Sequence, residues 1–301
     1  MSAQQDFRSG FLTLLGRPNS GKSTLLNQLV GEKVAIVSDK PQTTRNSIRG
    51  VYTDERMQAV FIDTPGVHKP KYKLGKRMMD EVNESLGGGD ILLYLVDSAE
   101  RFGAGEEYII KLLQKHNKPC FLLLNKIDLL KKDQLLPLMQ FYAERGDFAE
   151  ILPVSALTGE GRQTLLDLIY NYLKQGPAYF PADMISDMPD NFLIAELIRE
   201  QVLLRTSEEI PHSVAVTVTA IEEREDGLLF IEANIYVERD SQKGVLIGKG
   251  GSMLKQIGQA ARLGVEEIFG CRVYLQLRVR ARKDWRNNEG LLRDWIDLDR
   301  E

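Results

Sequence analysis

The sequence predicts an α/β domain with a mostly parallel sheet and one antiparallel edge hairpin, followed by a smaller α+β domain. Three observations carry this. Short apolar runs alternate with helical patterns through the first half of the chain, as strands joined by crossover helices do. A glycine loop with phosphate-binding spacing stands between the first apolar run and the first helical pattern. A second glycine loop, of a different kind, lies between two apolar helical pieces near residue 250.

Residues 11–15 form a short apolar run that reads as a buried parallel strand. Gly16-Arg17-Pro18-Asn19-Ser20-Gly21-Lys22-Ser23 then completes the pattern G-x-x-x-x-G-K-[ST]. Gly16 and Gly21 admit backbone angles at which successive N–H groups converge on phosphate oxygens. Lys22 reaches the β- and γ-phosphates, and the Ser23 hydroxyl is placed to ligate Mg²⁺. Thr24 continues into a helix with apolar residues at helical spacing, and Gly31 stops it. Asn19 and Ser20 complete the loop, and the helix N-terminus favours an anion.

Further apolar runs at 59–62, 91–96, 120–124 and 151–154 predict the remaining strands. Residues 47–52 and 57–62, separated by a short polar turn, predict the hairpin. Ligands of such sheets bind at strand carboxyl ends, and each remaining motif falls at one. Asp63-Thr64-Pro65-Gly66 places a carboxylate for Mg²⁺ and the Gly66 amide for the γ-phosphate. Asn125-Lys126-Ile127-Asp128 supplies a carboxylate that accepts two hydrogen bonds from the guanine ring N–H and exocyclic amine, a donor pair adenine lacks. Ser155-Ala156 adds a backbone amide for the guanine oxygen.

Together these motifs resemble a translation-factor-class (TRAFAC) P-loop GTPase domain over residues 1–175, implying GTP and GDP as ligands, Mg²⁺ as cofactor and GTP hydrolysis as activity. The resemblance implies that Thr44, in Pro41-Gln42-Thr43-Thr44-Arg45, binds γ-phosphate and Mg²⁺, with Thr43 as the adjacent alternative. The metal set is then Ser23, Thr44 and Asp63, and the catalytic set Lys22, Thr44, Gly66 and Asn19. Val67 stands where Ras-like relatives carry the water-orienting glutamine. Asn19 matches the cation-ligating asparagine of potassium-stimulated members, so K⁺ is a further candidate cofactor. His68 is expected to be an exposed switch residue rather than a base.

Composition changes in the proline-containing stretch 176–190, read as a stiff linker, after which Asp190 is expected to cap a helix. Two β-branched runs, 214–221 and 228–237, read as paired strands. Residues 191–301 therefore form the second domain. Its loop Gly248-Lys249-Gly250-Gly251, preceded by Ile247 and followed by a helix and the strand 272–279, resembles the G-x-x-G loop of a type II KH domain. That resemblance implies an RNA site at Ile247, Gly248, Lys249, Gly250, Gly251, Lys255 and Arg280.

The chain carries 39 Lys and Arg against 43 Asp and Glu, so its overall charge points to no polyanion. The stretch 243–286 is locally basic, opposed within it only by Glu266, Glu267 and Asp284, which predicts a confined RNA-binding patch. Three scattered histidines and two cysteines in apolar runs predict neither zinc nor disulfides. The start, residues 1–6, does not read as a signal peptide, and a cytoplasmic location is expected. The tail, with Leu291, Leu292, Trp295 and Ile296 at helical spacing, predicts a packed amphipathic helix, with peripheral contact at the inner membrane face as the lesser reading.

A nucleotide domain ahead of a KH domain at this length resembles the bacterial Era family of GTPases. It implies an RNA partner at the 3′ end of 16S-type ribosomal RNA, a place in small ribosomal subunit assembly, and no DNA partner. Two other readings compete: an assembly GTPase whose second domain docks a protein, and an ATP-using P-loop enzyme.

Overall fold

The computed structural model describes residues 7–296, so the readings of residues 1–6 and of the last five residues lie outside it. The chain divides into two compact units. Of the described residues, 7–35, 44–70 and 77–187 form the first; 36–43, 71–76 and 188–296 form the second.

In chain order the first half contains β1 (Arg8–Gly16), α1 (Lys22–Val30), β2 (Ile48–Thr53), β3 (Met57–Asp63), α2 (Lys73–Gly88), β4 (Ile91–Asp97), α3 (Ala104–Leu113), β5 (Cys120–Asn125), α4 (Lys132–Ala143), β6 (Glu150–Pro153), α5 (Arg162–Tyr172) and β7 (Lys174–Gln175). The sheet runs β2-β3-β1-β4-β5-β6, with β7 antiparallel to β1. The hairpin β2–β3 is antiparallel and the other neighbours are parallel. β1 thus lies between β3 and β4, and the chain's direction of winding reverses there. The crevice at its carboxyl end is where a doubly wound sheet receives a ligand. Leu12, Leu14, Leu93, Leu123 and their neighbours are fully buried, which is why these strands read as continuous apolar runs rather than alternating ones.

The stretch 176–187 is not a free linker but part of the first unit. Gln58 accepts the Tyr179 and Phe180 amides at 2.7 and 2.9 Å. The Val51 amide donates to the Ile185 carbonyl at 2.9 Å, and Arg49 pairs with Asp187.

The second unit contains α6 (Asp190–Arg205), α7 (Ile210–Ser213), β8 (Ala215–Glu223), β9 (Leu228–Val237), α8 (Asp240–Ile247), α9 (Ser252–Phe269), β10 (Arg272–Ala281) and α10 (Glu289–Ile296). This is the expected αββααβ order with one short helix inserted. Asp190 is the first helical residue rather than the cap; Pro189 occupies the cap position with no side-chain bond, since its fixed φ suits a helix start. The sheet runs β10-β9-β8, with β9 and β10 parallel. One face packs on the helices through Ile231, Ile235, Val273, Ile257 and Ala261. At the chain's end, Trp295 of α10 stacks on Tyr236 at 3.8 Å while Leu292 is fully buried.

Candidate nucleotide site and RNA groove

The phosphate loop follows β1 directly. Gly21 has φ of 97°, and a Cβ there would meet the Asn125 amide nitrogen at 2.2 Å, so both backbone and space require glycine. The contact is part of the design. The Asn125 side chain donates to the Ser20 carbonyl at 2.8 Å and accepts the Ala156 amide at 2.9 Å. One residue at the end of β5 therefore binds the phosphate loop to the loop after β6. Asn19 sits at the exposed apex with φ of 65°. The Lys22 ammonium is buried, and its bonds to the Arg17 and Gly16 carbonyls, at 3.2 and 3.4 Å, hold it across the loop. Burial pushes its pKa below the ordinary value, with Asp63 opposing the shift.

Ser23, Thr44 and Asp63 converge. The Asp63 Oδ2 lies 2.6 Å from the Ser23 hydroxyl and 3.2 Å from that of Thr44, and the two hydroxyls are 2.9 Å apart. Asp63 Oδ1 is buried without a hydrogen bond. Burial raises the Asp63 pKa, against the opposing influence of Lys22 and the two hydroxyls. An unsatisfied carboxylate oxygen beside two hydroxyls is a hard-oxygen donor set that fits Mg²⁺. Thr43 is not brought here: its hydroxyl lies 2.6 Å from the Ser38 hydroxyl and donates to the Lys40 carbonyl at 2.7 Å. Gly66 lies against the phosphate loop, and the Val67 amide donates to the Gly16 carbonyl at 3.0 Å. The Val67 side chain turns into the apolar core, away from any attacking water. His68 is half-buried rather than exposed; its Nδ1 lies 2.7 Å from the Gly66 carbonyl.

At the base end, Asp128 is exposed and accepts the Ser155 hydroxyl at 2.6 Å. Lys126, with φ of 64°, bonds Asp97 at 2.5 Å. The Ser155 hydroxyl's bond to Asp128 and the pairing of Lys126 with Asp97 were not read from the sequence. Asp97 carried an available signal, since it closes β4 as Asp63 closes β3.

In the second unit, Gly248 leaves α8 with φ of 73°, and a Cβ there would press on the Met253 backbone at 2.9 Å. Lys249–Gly251 forms a single short turn before α9. Beside it runs an open groove of about 530 Å³ between α9 and β10, lined by Gly251, Leu254, Lys255, Gly258, Leu275 and Leu277 among others. β10 is an edge strand, so its outer backbone groups border this groove. Ile247, Lys249 and Lys255 stand at the loop and groove. Arg280 is not among the groove's lining residues; its neighbour Val279 packs in the core, so the Arg280 side chain leaves the other face of β10. The basic patch is also smaller than the sequence suggested. Arg286 is buried on Glu238, Arg278 bonds Glu232 at 3.1 Å, and Arg262 bonds Glu266 at 2.8 Å. Two of these acids come from β9 and the turn after it, outside the stretch that was counted.

Comparison with known proteins fits this geometry. A family model described as a 50S ribosome-binding GTPase matches residues 11–126, and a KH domain model matches residues 209–286. A solved structure of Era in complex with MgGDPNP and nucleotides 1506–1542 of 16S ribosomal RNA is 38% identical. The alignment covers 95% of this chain and 98% of that one, at a TM-score of 0.93. The chain belongs to the Era family. A single-residue variant of Aquifex aeolicus Era bound to GDP·AlF₄⁻ is likewise 38% identical over the same shares, at a TM-score of 0.92. As an Era-family member this chain is a GTPase joined to a KH domain, with GTP, GDP and Mg²⁺ as its ligands and RNA as its partner.

Proposed function

We infer that the chain is a GTP-driven switch whose KH groove holds the 3′ end of small-subunit ribosomal RNA during assembly of that subunit. One observation carries the reading: a relative aligned over nearly its whole length binds both a magnesium–GTP analogue and 16S nucleotides. The family model's description names the 50S subunit, but that model spans the nucleotide domain alone. The full-length match weighs more for the RNA. Ser23, Thr44 and Asp63 would hold Mg²⁺, which would supply positive charge against the phosphates. Lys22 adds a fixed positive charge, and the loop amides orient the phosphates, so catalysis is positioning plus electrostatics.

Because Val67 points inward, water must be oriented by another group. Asn19 at the loop apex supports K⁺ as part of that answer; turnover is expected to be higher in potassium than in sodium, and equal rates would remove K⁺ from the proposal. The full-length relative holds RNA, so RNA rather than DNA is the proposed partner. The proposed location is cytoplasmic. Membrane contact through α10 has less support, because Leu292 and Trp295 are used in packing; fractionation of cells tests both. The deciding experiment is sequencing of RNA crosslinked to the full chain in GTP- and GDP-bound states. Enrichment of the 16S 3′ end supports the reading. The absence of any crosslink at Lys249 would instead favour a protein partner for the second domain.

A further inference from the structure

The segment between α1 and β2 leaves the first unit after Ala35, folds as part of the second, and returns at Thr44. α6 holds it at both ends. At one end Ile36 is 2% exposed within the apolar cluster that includes Ile194 and Ile198, and Glu200 accepts the Val37 amide at 3.0 Å. At the other end Arg199 donates through Nη2 to the Thr43 carbonyl. Between them Gln42 takes φ of 64°, and the Thr43 hydroxyl closes the loop on Ser38 and Lys40.

Arg199 is an expensive residue to keep there. Its side chain is 3% exposed and it pairs with Glu196, Nε donating at 2.6 Å. Nη1 is buried without a hydrogen bond. A buried pair of this kind gives little net stability and is often replaceable by apolar side chains. What an apolar replacement cannot do is hold the Thr43 carbonyl. The next residue is Thr44, whose hydroxyl stands at Ser23 and Asp63.

We propose that Arg199 is a positioning residue for the nucleotide site: by fixing the Thr43 carbonyl it presets Thr44 for Mg²⁺ and the γ-phosphate. The consequence is reciprocal. A ligand that requires Thr44 in place must stabilise the 36–43 segment against α6, and whatever loosens α6 must weaken that ligand. The inference rests on the GTP-switch reading of the nucleotide site.

The test uses the full chain with Glu196→Met and Arg199→Met combined, which removes the pair without leaving one charge buried alone. Affinity for GDP should stay within about twofold, since the diphosphate lacks the γ-phosphate that Thr44 meets. Affinity for a non-hydrolysable GTP analogue with Mg²⁺ should fall about tenfold, the effect of losing one charge-assisted hydrogen bond, and single-turnover hydrolysis should fall at least as far. Arg199→Lys, which keeps the charge and a donor, should recover part of the loss. Equal weakening of both nucleotides, or of neither, overturns the proposal. A second measurement needs no variant. Hydrogen exchange at the Val37 amide should be slower with the analogue than with GDP, and identical exchange overturns the proposal. Binding of the analogue that is indifferent to Mg²⁺ would overturn the switch reading itself, and the inference with it; that outcome is distinct from a failure at Arg199.

Discussion

The two glycine loops are built in opposite ways. The loop of residues 16–23 is braced from every side: Asn125 holds the Ser20 carbonyl, Lys22 bonds two of the loop's own carbonyls, and Gly66 lies against Pro18. The loop of residues 248–251 is closed by its own backbone, the Gly251 amide donating to the Gly248 carbonyl at 3.2 Å, and side-chain space is filled only at Gly248. A Cβ at Gly250 or Gly251 would meet nothing within 4 Å. The first is a preorganised hole for one compact polyanion, in which each donor is aimed before the ligand arrives. The second is an open clamp beside an apolar groove, suited to an extended strand whose backbone passes close to the chain. Rigid enclosure suits chemistry on a phosphate, and open access suits a polymer that must be released.

That contrast can be broken at graded cost. Lys22→Ala removes the fixed charge within the braced loop; kcat for GTP hydrolysis should fall at least about 100-fold, read in single-turnover assays alongside the melting temperature to exclude unfolding. Asp128→Asn replaces an acceptor pair by a mixed group, so GTP affinity should fall on the order of 100-fold, while xanthosine nucleotides bind better; unchanged GTP affinity would refute the guanine assignment. Ser155→Ala leaves that carboxylate without its 2.6 Å hydroxyl partner, and a loss of about tenfold in GTP affinity is expected by titration calorimetry. At the open loop, Gly250→Asp has room for its side chain, at a φ of 61° that Asp tolerates better than most residues, and sets a negative charge against phosphate. RNA affinity should drop about tenfold with GTP affinity untouched; a parallel drop in GTP binding would mean that the two loops are not separable. The smallest effect is expected from Lys255→Ala, which should lower the slope of log affinity against log salt by about 0.7.

Features whose chemistry lies within a few consecutive residues were legible in the sequence. The phosphate loop, Asp63–Gly66, Asn125–Asp128 and Gly248–Gly251 all belong to this class, because spacing along a turn determines what the turn binds. Features made by pairing distant residues were not. Lys126 meets Asp97 across 29 positions, and Arg199 meets Thr43 across 156. The basic patch was overestimated for the same reason, since Glu232 and Glu238 reach Arg278 and Arg286 from elsewhere in the chain. Between Thr43 and Thr44 the sequence left two equivalent hydroxyls. The turn at Gln42 separates them by sending one to Ser38 and the other to Asp63.

The clasp of residues 176–187 has a consequence for the open edge of the first sheet. β2 is the outer strand of the first sheet, and an open outer strand invites pairing with another chain. The Ile185 carbonyl occupies the Val51 amide, and the Ser186 hydroxyl donates to the Arg49 carbonyl at 2.8 Å. A fragment ending at Gln175 would keep the whole nucleotide motif set yet leave that edge bare, whereas one ending at Asp187 would keep it covered. The proline-rich stretch that looks like a spacer is the hem of the first domain.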